Sequence, residues 1–257
     1  MALAKRVLAS VPVLPAAGTA FLLGQVLRAA HRSDLPSFPN QDVSGEFGDP
    51  RLPLLTIVAV GDSSLTAPVV EHLDSVWIRR VVRHFTDRHR VRLISLAVGG
   101  SKARDVIEGQ LATAVGHRPD IAVVSVGSND AIRAVSVARY RRDLEEIVTE
   151  LEAAAGAIVV FGMGDLGSIP RLPKSIRPFL TKRSLAFNDA AREVAIRHSR
   201  AVKVYTLGRI WDAFWEDRSL FAADLFHASD EGHGIFAADA LPAFEAAYAL
   251  ASSRISG

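Results

Sequence analysis

The chain has 257 residues, 49% of them hydrophobic, a formal net charge of +2 and no cysteine. That length suits one α/β domain of about 200 residues with an extra segment, and the missing cysteines exclude disulfides, thiolate metal sites and a cysteine nucleophile. The small net charge gives no electrostatic support for nucleic-acid binding.

The first fifty residues differ from the rest. Lys5 and Arg6 precede a mostly apolar stretch from Val7 to Val26, followed by Arg28, His31 and Arg32. Positive charge before an apolar run predicts a signal peptide or membrane anchor over residues 1–32. Pro12, Pro15, Gly18, Thr19 and Gln25 interrupt the run, and a helix packed on the domain surface is the alternative. An exported or membrane-anchored protein is therefore expected, and otherwise a cytoplasmic one. Residues 33–53 are rich in Ser, Pro, Asp and Gly and have no apolar period, so they predict a linker or a wrapped irregular arm.

From residue 54 to the end, at 257, apolar runs alternate with helical patterns. Strands are predicted at Leu54–Val60, Val91–Val98, Ile121–Val126, Ile158–Phe161 and Val202–Tyr205. Helices are predicted near 70–89, 103–116, 135–155, 183–199 and 231–253. Several strands are continuous apolar runs, the mark of strands covered on both faces of a parallel sheet. Strand–helix alternation with right-handed crossovers gives a doubly wound α/β sheet of about five strands. The proline-rich basic stretch from Gly162 to about Thr181 predicts a loop, either a flap beside a substrate or a surface excursion.

In such sheets ligands bind at the carboxyl ends of the strands. Ser63, in Gly61-Asp62-Ser63, follows the first strand and is the candidate nucleophile, inert unless a base takes its proton. A turn or helix-capping serine is the alternative, although Ser64 or Thr66 is available for capping. His227 is the candidate base. Asp224, three residues earlier, would fix its tautomer and leave the other ring nitrogen to face Ser63. His233 is the rival, expected to face solvent or pack on the loop; His72, His84, His89, His117 and His198 are expected at the surface. A tetrahedral intermediate also needs donors for its oxyanion. Ser63 N–H, Gly100 N–H and the side-chain amide of Asn129 are the candidates, with a left-handed turn as the alternative role for Asn129. Asp130 is expected to hold its loop together.

Gly61-Asp62-Ser63, Gly100, Gly127-Ser128-Asn129-Asp130 and Asp224-Leu225-Phe226-His227 together resemble the SGNH (GDSL-type) hydrolases. The four signature positions fall on Ser63, Gly100, Asn129 and His227, in family order, and the resemblance covers roughly residues 54 to 250. It implies a flavodoxin-like sheet, a serine-esterase mechanism, no metal and no cofactor. Two departures stand out: Ala67 where a glycine often follows the serine, and Ser95 where the second block often begins with Asn. Both bear on loop shape and hence on substrate range. The absence of Gly-x-Ser-x-Gly around Ser63 argues against the nucleophile elbow of α/β-hydrolases.

The resulting expectation is a serine esterase acting on a small-molecule, glycan or lipid ester with a short acyl or acetyl group. An acyltransferase with the same machinery is the near alternative. A flavodoxin-like binding protein is the distant one, since it gives Asp224 and His227 nothing to do. Association with a membrane is expected only through the N-terminal segment.

Overall fold

The computed structural model of the protein describes residues 38–255 together with Gly24. Apart from that glycine, the expected N-terminal signal or anchor lies outside the described residues. Among the described residues six strands form one sheet in the order β1-β3-β2-β4-β5-β6: β1 Gly45–Phe47, β2 Leu54–Gly61, β3 Arg90–Ser95, β4 Ile121–Ser125, β5 Ala157–Phe161 and β6 Ala201–Val204. β2 to β6 pair parallel and are the five strands the sequence predicts. Every residue of β4 and β5 is buried, because helices cover both faces and a continuous apolar run leaves neither face wet.

The added strand, β1, lies in the stretch expected to be a linker or irregular arm. It pairs antiparallel with β3, and its own Phe47 and the nearby Val43 are buried. A three-residue strand with a single buried side chain has no periodicity to reveal it. Its Glu46 accepts hydrogen bonds at 2.9 Å from Arg90 Nε and Arg92 Nε across the ladder, and such charges blunt a sheet edge against further pairing.

The helices are α1 Ser63–Thr66, α2 Trp77–Arg83, α3 from Ala103–Val106 through a π-helical Ile107–Leu111 to Ala112–Gly116, α4 Ser128–Ile132, α5 Val137–Ala154, α6 Arg177–Arg197, α7 Arg209–Glu216 and α8 Asp230–Ile255. α2 and α8 pack together on one face; α3, α5 and α6 pack on the other. α6 begins six residues earlier than expected, because Pro178 sits in its first turn, where a missing N–H costs nothing. α7 has no counterpart among the expected helices.

α8 is the one described helix long and apolar enough to cross a membrane. Its inner face, with Ala240, Phe244 and Ala247, is fully buried against the domain.

Candidate active site

β2 ends at Gly61, in a left-handed conformation (φ 154°) and against β4, where a Cβ would lie 2.0 Å from the Ser125 carbonyl oxygen. Only glycine fits there. Gln110, buried in α3, brackets this glycine: Gly61 N–H donates to its Oε1 at 2.8 Å, and its Nε2 donates to Gly61 O at 3.0 Å. The chain then turns into α1 with Ser63 as the first helical residue. The N-cap is Asp62, whose Oδ1 accepts from Ser64 N–H at 3.0 Å, and an N-cap carboxylate satisfies one of the first-turn donors. Neither Ser64 nor Thr66 caps. Ser64 Oγ pairs with Ser125 Oγ at 2.6 Å, and Thr66 Oγ1 donates to Asn40 Oδ1 at 2.6 Å.

Asn129 stands in the first turn of α4, after β4. It is helical: among the described residues the non-glycine positions with positive φ are Ala67, Arg118, Ala134 and Leu225. The left-handed turn role considered for Asn129 is thereby removed. Its Nδ2 donates to Asp62 Oδ2 at 3.3 Å, which leaves its second N–H for another acceptor. Gly100, with φ 83°, follows β3, so Ser63, Gly100 and Asn129 follow the three adjacent strands β2, β3 and β4. Among the described residues no protein acceptor takes Ser63 N–H or Gly100 N–H. Both are available donors.

Asp224 and His227 share a tight loop closed by a bridge between Phe221 and Ala228. Leu225 takes a left-handed conformation at its apex (φ 57°). Asp224 Oδ2 lies 2.6 Å from His227 Nδ1, while its Oδ1 accepts from Phe226 N–H at 2.9 Å and His227 N–H at 3.0 Å. Burial raises the pKa of this carboxyl, but the bonds and charge from His227, with the Phe226 N–H, outweigh it and hold it below the usual value. An ionised Asp224 keeps the proton on Nδ1 and leaves Nε2 as the free, basic nitrogen.

Ser63 and His227 line one cavity of about 130 Å³. No hydrogen bond joins them directly. Its walls are mainly apolar, with Phe161, Met163, Ile169, Phe214, Phe226 and Phe236. Asp224, Gly100 and Asn129 do not border it. The Gly162–Ile169 stretch forms part of the wall rather than an outward excursion. It is fixed by Asp165, a buried carboxylate that accepts from Gly167 N–H, Thr181 Oγ1 and Trp215 Nε1 at 2.8, 2.9 and 2.7 Å.

His233 differs most from expectation. It is 2% exposed and lines the same cavity. Its Nδ1 accepts from Trp77 N–H at 3.3 Å, and burial pushes its pKa down to about 3. A helical position six residues after His227 gives no hint of this, because it depends on how α8 meets α2. His198 also departs from the surface role expected of it: its side chain is 9% exposed, between Glu145 and Glu152. Asp130, expected to hold its own loop, instead ties α4 to the start of α3, accepting from Ala103 N–H at 3.0 Å, and burial lifts its pKa to about 6. Asp62, Gln110, Asp165 and the aromatic wall escaped the sequence reading. Of these, only Asp62 carries a signal, as a residue that commonly caps a helix.

Residues 59–235 match the GDSL-like lipase/acylhydrolase family. A GDSL-like esterase of Mycobacterium tuberculosis is 28% identical over 192 residues, which span 72% of this chain and 60% of that relative's length. The solved structure of TesA superposes with a TM-score of 0.62 at 18% identity, over 75% of this chain and 99% of that one. A catalytic mutant of Axe2, an acetylxylan esterase from Geobacillus stearothermophilus, gives 0.61 at 16% identity over 77% and 95% of the two chains. A psychrotrophic esterase, EstA from Pseudoalteromonas, gives 0.58 at 14% over 74% and 96%. At these identities the solved structures share the fold.

Proposed function

The chain belongs to the GDSL-like lipase/acylhydrolase family, and from that premise we propose that it is a serine esterase cleaving short-chain carboxylic esters through an acyl-serine intermediate. The observation that carries this reading is the 2.6 Å Asp224–His227 pair, whose histidine lines the same cavity as Ser63.

The steps follow from the donor and acceptor states of these groups. As Ser63 Oγ bonds to the ester carbonyl carbon, His227 Nε2 takes its proton, and Asp224 stabilises the imidazolium. The carbonyl oxygen becomes an oxyanion, for which Ser63 N–H, Gly100 N–H and the free N–H of Asn129 are the donors in this reading. Donors already fixed by a strand end, a glycine turn and a helical turn cost no reorganisation when the charge appears. The intermediate collapses, the C–O bond breaks, and His227 returns the proton to the departing alkoxide. Water then attacks the acyl-serine, giving its proton to His227, and a second collapse releases the acid and restores Ser63.

The cavity size supports a short acyl group. About 130 Å³ is close to the ~150 Å³ apolar cavity that accepts benzene in another protein, which corresponds to a chain of about four to six carbons. The fold is shared with an acetylxylan esterase, and glycan esters are one candidate class of natural substrate. The direct experiment is turnover of p-nitrophenyl butyrate by the wild type and Ser63→Ala: the reading requires the variant to lose it while keeping its fold.

A further inference from the structure

The cavity is not apolar throughout, because His233 presents a polar atom to it. Trp77 N–H donates to His233 Nδ1 at 3.3 Å, so Nδ1 must carry a lone pair and the ring proton sits on Nε2. Burial pushes this histidine's pKa down to about 3, so the same neutral tautomer persists across the working range. Among the described residues Nε2–H has no acceptor. Nor is it sealed off: among the described residues the sealed side-chain polar atoms that make no hydrogen bond are Arg79 Nε and Asp130 Oδ1. A side chain 2% exposed that borders the cavity can open that nitrogen only onto the cavity.

A buried donor left without an acceptor is costly. Aromatic neighbours do not supply one: Phe236 meets the His233 ring at 79° and 5.7 Å between centroids. We infer that His233 Nε2–H reads a neutral oxygen acceptor on the acyl group, an ether, hydroxyl or keto oxygen set a few carbons from the ester carbonyl. The inference rests on the esterase reading and narrows its substrate class. A carboxylate in that place would face apolar walls and the Asp62 carboxyl, which borders the same cavity, so charge is disfavoured and a neutral acceptor preferred. A plain alkyl chain displaces water from Nε2–H without replacing its hydrogen bond; an oxygen at the right position replaces it.

The test uses three matched pairs of p-nitrophenyl esters, each differing by one oxygen in place of one methylene: methoxyacetyl with butyryl, 3-methoxypropanoyl with pentanoyl, and 4-methoxybutanoyl with hexanoyl. For each pair the ratio of kcat/KM, oxygen over alkyl, is measured in the wild type, His233→Leu and His233→Gln. Dividing the wild-type ratio by that of the leucine variant cancels intrinsic reactivity. At one oxygen position this quotient should reach roughly 10- to 100-fold. The glutamine variant, which keeps an acceptor for Trp77 N–H and a donor for the cavity, should retain most of it. A quotient near one for all three pairs overturns the inference. Where His233→Leu does not fold, the wild-type ratio is compared with that of hydroxide hydrolysis in solution: an excess at one position supports the inference, equality at all three overturns it. Hydrolysis of every ester that persists undiminished in Ser63→Ala would overturn the esterase reading itself, and the inference with it.

Discussion

Asn129 Nδ2 donates to Asp62 Oδ2 at 3.3 Å, so the first turn of α4 and the residue before Ser63 hold each other. One amide proton is spent on this bond and the other is free for a developing oxyanion. If that free proton acts, its bond strengthens as charge builds, and Asn129→Ala should lower turnover by roughly 10²–10³-fold with little change in KM. Asn129→Gly should be as damaging, because Asn129 is helical and glycine brings it no conformational relief. Asn129→Asp should be at least as poor, since it sets a second carboxylate beside Asp62. Near wild-type turnover in Asn129→Gly would remove Asn129 from the oxyanion site.

The two histidines of the cavity should separate by the property each controls. His227→Ala should lose roughly 10⁴-fold or more in turnover with a melting temperature near wild type, as loss of a triad member does. His233→Ala should lower the melting temperature, because it leaves Trp77 N–H buried without its acceptor. The reverse pattern would exchange their roles.

His233 also sets an acid limit on stability. Its folded pKa, about 3, lies below the ordinary value of 6.5, so between these values the unfolded chain binds a proton that the folded chain refuses. Stability is fully present above about pH 6.5 and falls as pH drops toward 3, by about 1.4 kcal/mol for each pH unit at most. Urea unfolding of the wild type and His233→Gln from pH 7 to 4 checks this. The glutamine variant should lose less stability over that range, and parallel curves would contradict the assignment.

The cavity predicts a chain-length optimum. Catalytic efficiency on p-nitrophenyl esters should peak at about four to six acyl carbons and fall beyond. Filling the cavity by Ile169→Phe should move the optimum toward acetyl. A clear optimum at ten carbons or more would mean that the acyl chain lies elsewhere.

The arm before β2 is integral to the domain. Gln41 Nε2 donates to Ala67 O at 2.9 Å and to Val70 O at 2.8 Å, holding the turn that follows Ser63. A protein starting at residue 38 should therefore melt like the full chain, and one starting at residue 54 should be strongly destabilised. We propose in addition that the segment before residue 33 directs the chain to the membrane. Fractionating cells that express the full chain and the shortened form beginning at residue 38 tests it: both forms in the soluble cytoplasmic fraction would refute that role.

Much of this architecture is legible in the sequence because it rests on local signals. Continuous apolar runs mark β2, β4 and β5, and Gly-Asp-Ser and Asp-x-x-His mark two loops at the sheet's edge. What is not legible depends on distant packing. Gln110 is one helical glutamine among many positions until α3 brings it beside Gly61. His233 resembles any helical histidine until α8 presses it against Trp77. The aromatic wall gathers Phe161, Phe214 and Phe236 from three separate elements, and Phe214 stacks on Phe236 with ring centroids 5.1 Å apart. No window of sequence contains that contact.

The central claim is that Ser63 is the nucleophile. Its most direct test is treatment of the intact protein with a fluorophosphonate, followed by peptide mapping of the adduct. The account predicts a single modification on Ser63, absent in Ser63→Ala and strongly slowed in His227→Ala. An adduct on another residue, or unchanged labelling of Ser63→Ala, would contradict it.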